Sequence, residues 1–388
     1  MLLGVVFLGV LLFSITSKGY SAFGQTMIRL NITLPETIAT APAEANYHAM
    51  VKKSLRQMFP DIRERRVKKA LYALVSLGAP NEIRNLVTNN PGWAGSQREL
   101  WLPASDDVDM LIKGKVARDA PINVRRISDR QLELLDHLVV AERIETQFNF
   151  GFFSNGDSRE PEMAGIAAAA MGSMFSLLIC LVLAFPLGVM AAIYLEEFAP
   201  RNLFTAFLEV NINNLAAVPS IVFGLLGLAI FLNFFELPRS APLVGGMVLA
   251  LMTLPTIIIT GRASLKAVPP SIRDAALALG ASKVQTVFHH LLPLALPGVL
   301  TGTIIGMARA VGETAPLLMI GMVAFVVDVP KGILDPATAL PVQVYLWADS
   351  PERAFEERTA ATILVLLVFL IAMNLLAVIL RRKFEIRW

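Results

Sequence analysis

Cysteine is nearly absent from this sequence. Cys180 stands alone among 388 residues, so no internal disulfide can form and the redox compartment stays open. Its place in an apolar run reads as a small buried or lipid-facing residue. Charge is scarce too: 17% of residues are Lys, Arg, Asp or Glu, where an ordinary soluble domain carries about 25%. The formal net charge of +3 is too small to argue for a nucleic-acid partner. No Gly-x4-Gly-Lys-Ser/Thr stretch occurs, so the chain has no phosphate-cradling loop of its own and is not expected to hydrolyse ATP alone. A metalloprotease motif is missing, and no convincing catalytic triad stands out. The adjacent His289 and His290 have no Cys, Asp or Glu at ligand spacing, so polar helix surface is the better reading and no metal is expected.

What the chain has instead is apolar sequence, 55% of its residues with a mean hydropathy of +0.60. Six apolar segments lie near 1–22, 164–193, 210–235, 243–262, 294–327 and 359–380, each able to supply the roughly 20 residues that cross a bilayer. The first is the weakest. Its clean core, Leu2 to Phe13, is as short as a signal-peptide h-region, and Tyr20-Ser21-Ala22 offers a cleavage site. No basic residue precedes it, however, and Lys18 follows, so it is read as a retained anchor; the missing basic flank also fits a start codon assigned too late.

The charges that exist are unevenly placed. Residues 24–162 hold 19 Lys+Arg and 18 Asp+Glu, leaving 15 and 13 for the other 249 positions. That pattern predicts one soluble, charge-balanced domain inserted in a membrane protein. Orientation follows from basic residues in short loops. Arg262, Lys266, Arg273 and Lys283 follow the fourth segment, and Arg381, Arg382, Lys383 and Arg387 follow the sixth. The opposite loops carry Arg239 in one, and Lys331, Arg353 and Arg358 against six acids in the other. Both termini are therefore expected in the cytoplasm and residues 23–162 outside it. Within that domain helices are expected in "AEANYHAMVKKSLRQMF", "DIRERRVKKALYALVSLG" and "SDRQLELLDHLVVAERI", and strands in "ELWLP" and "IETQFNFGFF". The cluster Arg63, Arg65, Arg66, Lys68, Lys69 reads either as a solvated helix face or as a patch for an anion or partner.

The stretch "SIRDAALALGASKVQTVFHHLLPLALPG", 271–298, predicts two short helices outside the lipid. Ser271 and Asp274 have capping-box spacing after Pro269-Pro270. Gly280 can end that helix in a left-handed conformation. Ser282 and Gln285 form a second box, and Pro293 is expected to limit the helix it starts. The face Ala275, Ala276, Leu277, Leu279 needs a partner, because so small a hairpin is marginal in water.

This stretch resembles the EAA loop of ABC importer permeases. Asp274-Ala275-Ala276, three residues, Gly280, then Leu292-Pro293 follow the family pattern Glu-Ala-Ala-x3-Gly-x9-Ile-x-Leu-Pro; Asp274 replaces Glu and keeps its charge, and His290 replaces Ile. Further stretches, "FFSNGDSREPEMAGI", "FPLGVMAAIYLEEFAP", "VNINNLAAVPSIVFGLLGLAIF" and "ARAVGETAPLL", are similar to the phosphate transport system permease family, PstA, over roughly 148–388. The resemblance implies a loop that docks on an ATPase subunit, and a complex of two ATPase copies (PstB-like), a second permease (PstC-like) and a periplasmic phosphate-binding protein (PstS-like), in contact with membrane lipid. ATP and Mg would be bound by the ATPase subunits; no cofactor is expected in this chain.

The remaining signal is a pair of charges inside apolar sequence, Arg309 and Glu313 in "RAVGETAPLL". Counted from Pro297 at 1.5 Å per residue, Arg309 lies about 18 Å up the fifth segment, near mid-membrane, with Glu313 one turn further on the same face. Two readings stay open: an ion pair that locks packing, or an anion path in which the Arg309 fork binds phosphate oxygens and Glu313 holds that charge when the path is empty. In the second, Glu313 also accepts a hydrogen bond from a protonated phosphate, which sulfate cannot offer. Thr314 and Pro316 follow, and Pro316 should break regular hydrogen bonding. Gly302 and Gly306 form a small-xxx-small packing step. Asn211, Asn213 and Asn214 are expected to face the bundle and bond between helices, with Asn214 also a candidate on the substrate path; Arg262 is read as an interfacial anchor.

The expected architecture is an all-α polytopic membrane protein with six transmembrane helices of the type I ABC importer permease fold. Its parts are helix 1 at 1–22, a mainly helical extracytoplasmic domain at 23–162, and a permease domain at 163–388 carrying the coupling loop 271–293. The expected function is the permease subunit of a binding-protein-dependent phosphate importer in the bacterial inner membrane, working by alternating access. An ABC permease for phosphonate or sulfate, and a proton-coupled secondary anion transporter, are the alternatives.

Overall fold

The structure, a computed structural model, describes residues 2–39, 42 and 44–384; Arg387 lies outside the described residues. The chain divides into two compact units, Met1–Gly165 with Ser350–Ala361, and Ile166–Asp349 with Thr362–Trp388.

The first unit opens with α1, Leu2–Gly19, whose apolar side chains are exposed. A single 3-10 turn, Tyr20–Phe23, leads directly into β1, Gly24–Thr33. β1 is the centre of a three-stranded antiparallel sheet in the order β2-β1-β3, with β2 Gln97–Pro103 and β3 Ile144–Phe148. Its register pairs Leu30 with Leu100 and Ile28 with both Leu102 and Ile144. Ile28, Leu30 and Ile32 are fully buried, the period of two that a strand with one core face requires. They share a core with Leu55 of α2 (Tyr47–Met58), Leu71 of α3 (Arg65–Tyr72), Ile83 of α4 (Ala79–Asn89), Val108 of α5 (Asp106–Ile112) and Leu135 of α6 (Asp129–Val140).

Local chemistry sets several of these boundaries. The Asn46 side chain caps α2 by accepting from the Ala49 amide at 2.9 Å, and Ser128 with Gln131 forms a full capping box at α6. The strand expected over 144–153 stops at Phe148, because Asn149 caps a short helix by accepting from the Phe152 amide. β1 and α4 have no counterpart in the sequence reading.

A set of charges is buried in this unit. Lys113 lies 2.6 Å from Asp109 and 2.7 Å from Glu357, and Asp109 also accepts from the Thr26 amide at 2.8 Å. Arg358 donates to the Ala164 carbonyl at 2.7 Å. Glu357 and Arg358 belong to the start of the last helix, α14 (Ala354–Phe384). Gly19 meets the same stretch: a β-carbon there would stand 2.7 Å from the Ala360 backbone.

The second unit is helical throughout its described elements. α7, Ala167–Ile193, ends in a π turn, Tyr194–Phe198; α8 is Leu203–Ala216; α9, Ser220–Gly227, runs into a second π turn, Leu228–Phe234; α10 is Pro242–Lys266. Among the described residues, five helical stretches are long and apolar enough to cross a membrane: Leu2–Phe23, Ala167–Phe198, Pro242–Lys266, Lys283–Val311 and Ala354–Lys383. The third expected span, near 210–235, is a broken one, α8 and α9 meeting at 103°. Pro219 explains the break, since it disfavours helical geometry at Val218 and serves as N-cap of α9.

The loop after α10 corrects two expectations. α11, Pro270–Ala278, starts one residue before Ser271, with Pro269 as N-cap and Pro270 in the first turn, so the Ser271–Asp274 capping box does not form. Gly280 is left-handed at φ +89°, and the Ser282–Gln285 box is present. Pro293, however, ends nothing. Helix continues from Lys283 to Val311, with a π turn at Thr286–Leu291 feeding α12, Leu292–Val311. Proline in the first turn of α12 has no amide to lose from a regular ladder, and the wider π turn beneath it satisfies the backbone there.

Candidate functional site

α12 lies against α10 through three small residues. A β-carbon on Gly298 would stand 2.2 Å from Ser264 Oγ, one on Gly302 1.8 Å from Thr260 Oγ1, and one on Gly306 3.2 Å from Thr253 Cγ2. The expected Gly302–Gly306 step is thus a packing seam, with the helices antiparallel and nearly touching. Thr260 and Ser264 stay satisfied by bonding back to Thr256 and Thr260 carbonyls at 2.7 Å. The seam also fixes a level. Thr253 is the residue beside the midpoint of the 25-residue α10, so Gly306 stands at the middle of an apolar helix. Arg309 is three residues, or about 4.5 Å, beyond it.

α12 ends there, not beyond. Val311 is its last residue, Gly312 and Glu313 turn the chain through amide bonds to the Arg309 and Ala310 carbonyls, and α13 (Ala315–Met319) follows. The fifth segment expected as one span over 294–327 is therefore two pieces, broken where Pro316 cannot continue the ladder. Thr314 is the half-buried N-cap of α13 and Pro316 is buried. α13 packs on α9, where Gly224 lets the Pro316 backbone approach: a β-carbon on Gly224 would stand 2.7 Å from Pro316 Cα.

Arg309 and Glu313 form the expected pair, Nε to Oε1 at 3.3 Å. The arginine side chain is 46% exposed and the carboxylate 17%. Only Nε is engaged, so the two terminal nitrogens of the fork make no bond among the described residues. The position at a helix C-terminus, where carbonyls point outward, favours a cation. Asn214 is not brought to this pair. It sits exposed on α8, and its amide makes no hydrogen bond among the described residues. Asn211 bonds its own Phe207 carbonyl at 2.7 Å. The expected helix-to-helix amide bonds are thus not found among the described residues, and Asn211, Asn213 and Asn214 are exposed.

A second constellation lies at the other ends of the same helices. Arg273 of α11 grips Glu197 with two guanidinium nitrogens, Nε at 3.1 Å and a shorter contact from Nη2. Arg262 pairs with Glu209 at 2.7 Å and Glu196 at 3.5 Å, and Lys266 with Glu196 at 3.6 Å. Arg262, expected as an interfacial anchor, thus cross-links α10 to α8 and to the π turn that ends α7. Glu196, Glu197 and Glu209 carry a role that sequence reasoning missed. The signal was the acid pair in "YLEEFAP" facing the basic run after α10, but only the bases were weighed. In the loop, Asp274 and Ala275 are exposed and Ala276 is buried. Leu292 and Pro293 form the first turn of α12. Leu277, Leu279, Val284 and Phe288 are exposed, Leu279 at 90%, which leaves an apolar face without a partner in this chain.

Comparison with known proteins adds to this geometry. Residues 184–386 match the family described as "Binding-protein-dependent transport system inner membrane component", and residues 1–122 match a domain of unknown function. The phosphate transport system permease protein PstA 1 of Mycobacterium tuberculosis is 33% identical over 221 residues, covering 56% of this chain and 70% of that protein. PstA of Mycobacterium leprae is 30% identical over 292 residues, covering 70% and 93%. Among solved structures, an inward-facing MetNI methionine ABC transporter chain overlays with a TM-score of 0.42 at 18% identity, covering 55% of this chain and 92% of that one.

Proposed function

Because the chain belongs to the binding-protein-dependent transport system inner membrane component family, we propose that it is the permease subunit of an importer whose cargo is inorganic phosphate. Membership makes it a multi-pass inner-membrane transport component that works with an ATPase and a binding protein. The finer composition belongs to the proposal: two PstB-like ATPases, a PstC-like permease and a PstS-like binding protein, with ATP and Mg held by the ATPases and none hydrolysed by this chain. The observation that supports phosphate is the Arg309–Glu313 pair, together with similarity to permeases named for phosphate.

In this reading the half-exposed fork of Arg309 takes two phosphate oxygens side by side, a geometry that suits guanidinium better than ammonium. Glu313 holds Nε and keeps the fork oriented, and its free oxygen accepts from the P–OH of a protonated phosphate. Sulfate has no such proton to give. Thr314 contributes a hydroxyl beside them. Asn214, exposed on α8, is kept for the neighbouring permease, which would complete the path from its own side.

The drive arrives through the loop. An ATPase closing on the exposed face of Leu277 and Leu279 displaces α11, which Arg273 ties to the end of α7. The loop also feeds without a break into the helix Lys283–Val311, 29 residues and about 43 Å long, which ends beside Arg309. Arg262 and Lys266 near the loop, with Arg381–Lys383 in the last turn of α14, support a topology with both termini and the loop in the cytoplasm and residues 23–162 outside it. Vesicles holding the complete complex test the proposal. Arg309→Gln should abolish ATP-dependent phosphate uptake with assembly intact, and sulfate should compete poorly. Undiminished uptake would return the pair to a structural role, and preferential competition by sulfate would remove phosphate as cargo.

A further inference from the structure

The first unit is nearly neutral as a whole, yet its charge is sharply segregated. Residues 52–69 hold eight of the nineteen basic residues of 24–162 and only two of the eighteen acids, Asp61 and Glu64. The rest of the domain is correspondingly acidic. None of those eight cations makes an ion pair among the described residues, while Arg118, Arg125 and Arg130 of the same unit all do. A solvated helix face would be expected to interleave signs, because like charges at one-turn spacing repel.

Five of the eight line one surface cleft. Arg56 from α2 and Arg65, Arg66, Lys68 and Lys69 from α3 line a cleft of about 600 Å³ with Tyr72. Tyr72 organises one wall: its hydroxyl accepts from Arg56, and its ring lies 5.5 Å from the Arg56 guanidinium and 5.7 Å from the Lys52 ammonium. Arg65 and Arg66 occupy the first turn of α3, the positive end of the helix dipole, where the helix itself disfavours cations. The arrangement costs stability at each of these points, and no ion pair among the described residues offsets it.

We propose that this cleft is a binding site for a soluble anion carrying several phosphoryl groups in sequence, of the oligophosphate type. One phosphoryl group carries at most about −2 and cannot balance five cations, whereas a linear oligophosphate can, and mixed Arg and Lys donors suit its oxygens. The site depends neither on the transport reading nor on which side of the membrane the domain faces.

The test is calorimetric titration of the full-length chain, in nanodiscs of zwitterionic lipid, with sodium tripolyphosphate, orthophosphate and sulfate. Tripolyphosphate should bind one site at least about tenfold more tightly than orthophosphate and weaken steeply with added salt. The triple variant Arg65→Gln, Arg66→Gln, Lys69→Gln should lose that site with unchanged circular dichroism. The charge-preserving Arg65→Lys, Arg66→Lys, Lys69→Arg should retain it, which guards against a folding artefact. Equal affinity for tripolyphosphate and orthophosphate, or undiminished binding by the neutralised variant, overturns the proposal. Loss of tripolyphosphate binding in nanodiscs containing phosphatidylglycerol would give the cleft to lipid headgroups and overturn the soluble ligand.

Discussion

Glu162 shows how one residue carries a condition-dependent load. It is buried beside Ser76, Asp106 and Glu160, one carboxylate oxygen has no hydrogen-bond partner among the described residues, and burial pushes its pKa up to about 7 from the ordinary 4.5. Between those two values the folded protein holds a proton that the unfolded chain has lost. Stability of the first unit should therefore fall as pH rises from about 4.5 to 7 and level off above, by roughly 3 kcal/mol for this group. Glu162→Gln should flatten that part of the profile and raise the melting temperature at pH 8, read by thermal unfolding across pH. A variant with the parent's pH slope would show that other groups set it. Sequence alone could not have singled Glu162 out, because nothing in "REPEM" says which acid is buried. Arg309 and Glu313 were legible for the opposite reason: charge in an otherwise apolar run stands out by its cost. Counting residues from Pro297 put Arg309 about 18 Å up the segment, and the structure ends the helix just beyond it, at Val311.

At the scale of elements, the informative pair is Arg273 with Glu197, which joins α11 to the end of α7. The Glu197 side chain is only 4% exposed, so removing its partner strands a nearly buried carboxylate. Arg273→Ala should lower phosphate uptake by an order of magnitude or more while ATP hydrolysis by the complex persists. The exchange Arg273→Glu with Glu197→Arg should recover part of the uptake, as a double-mutant cycle in vesicles would reveal. Additive losses with no recovery would deny the coupling. Elements with a strong local signal were readable: Gly280 as a left-handed stop, Ser282–Gln285 as a cap, α6 from its periodicity. β1 was not. It follows α1 through one 3-10 turn, with no loop to announce a new element, and its alternation is visible only once the pairing with β2 and β3 is known. The π turn below Pro293 was equally hidden, since a proline normally reads as a stop.

The whole molecule is discontinuous in sequence: the first unit takes in residues 350–361, so the inserted domain is completed by the start of the last helix. Lys113 is the joint, balancing Asp109 and, 244 residues away, Glu357. Lys113→Met would leave two buried carboxylates facing one another, and roughly 3–5 kcal/mol of stability should be lost. Adding Glu357→Gln should return part of it, measured by thermal unfolding of the purified chain; equal melting of parent and single variant would show the cluster to be loosely solvated. Composition set residues 23–162 apart from the rest of the chain by their charge density, whereas the compact unit runs from Met1 to Gly165 and takes in Ser350–Ala361. The contribution of 350–361 escaped notice, since "PERAFEERTA" reads as an ordinary polar lead-in to a membrane helix.

The π turn at Thr286–Leu291 has one more consequence. It holds more residues per turn than α geometry, so it sets the angular phase between the foot of the helix, where the loop packs, and Arg309 near its tip. One residue of register in an α-helix is about 100° of rotation. A regular turn in its place would leave the same rod, equally long and equally apolar, aimed at a different wall.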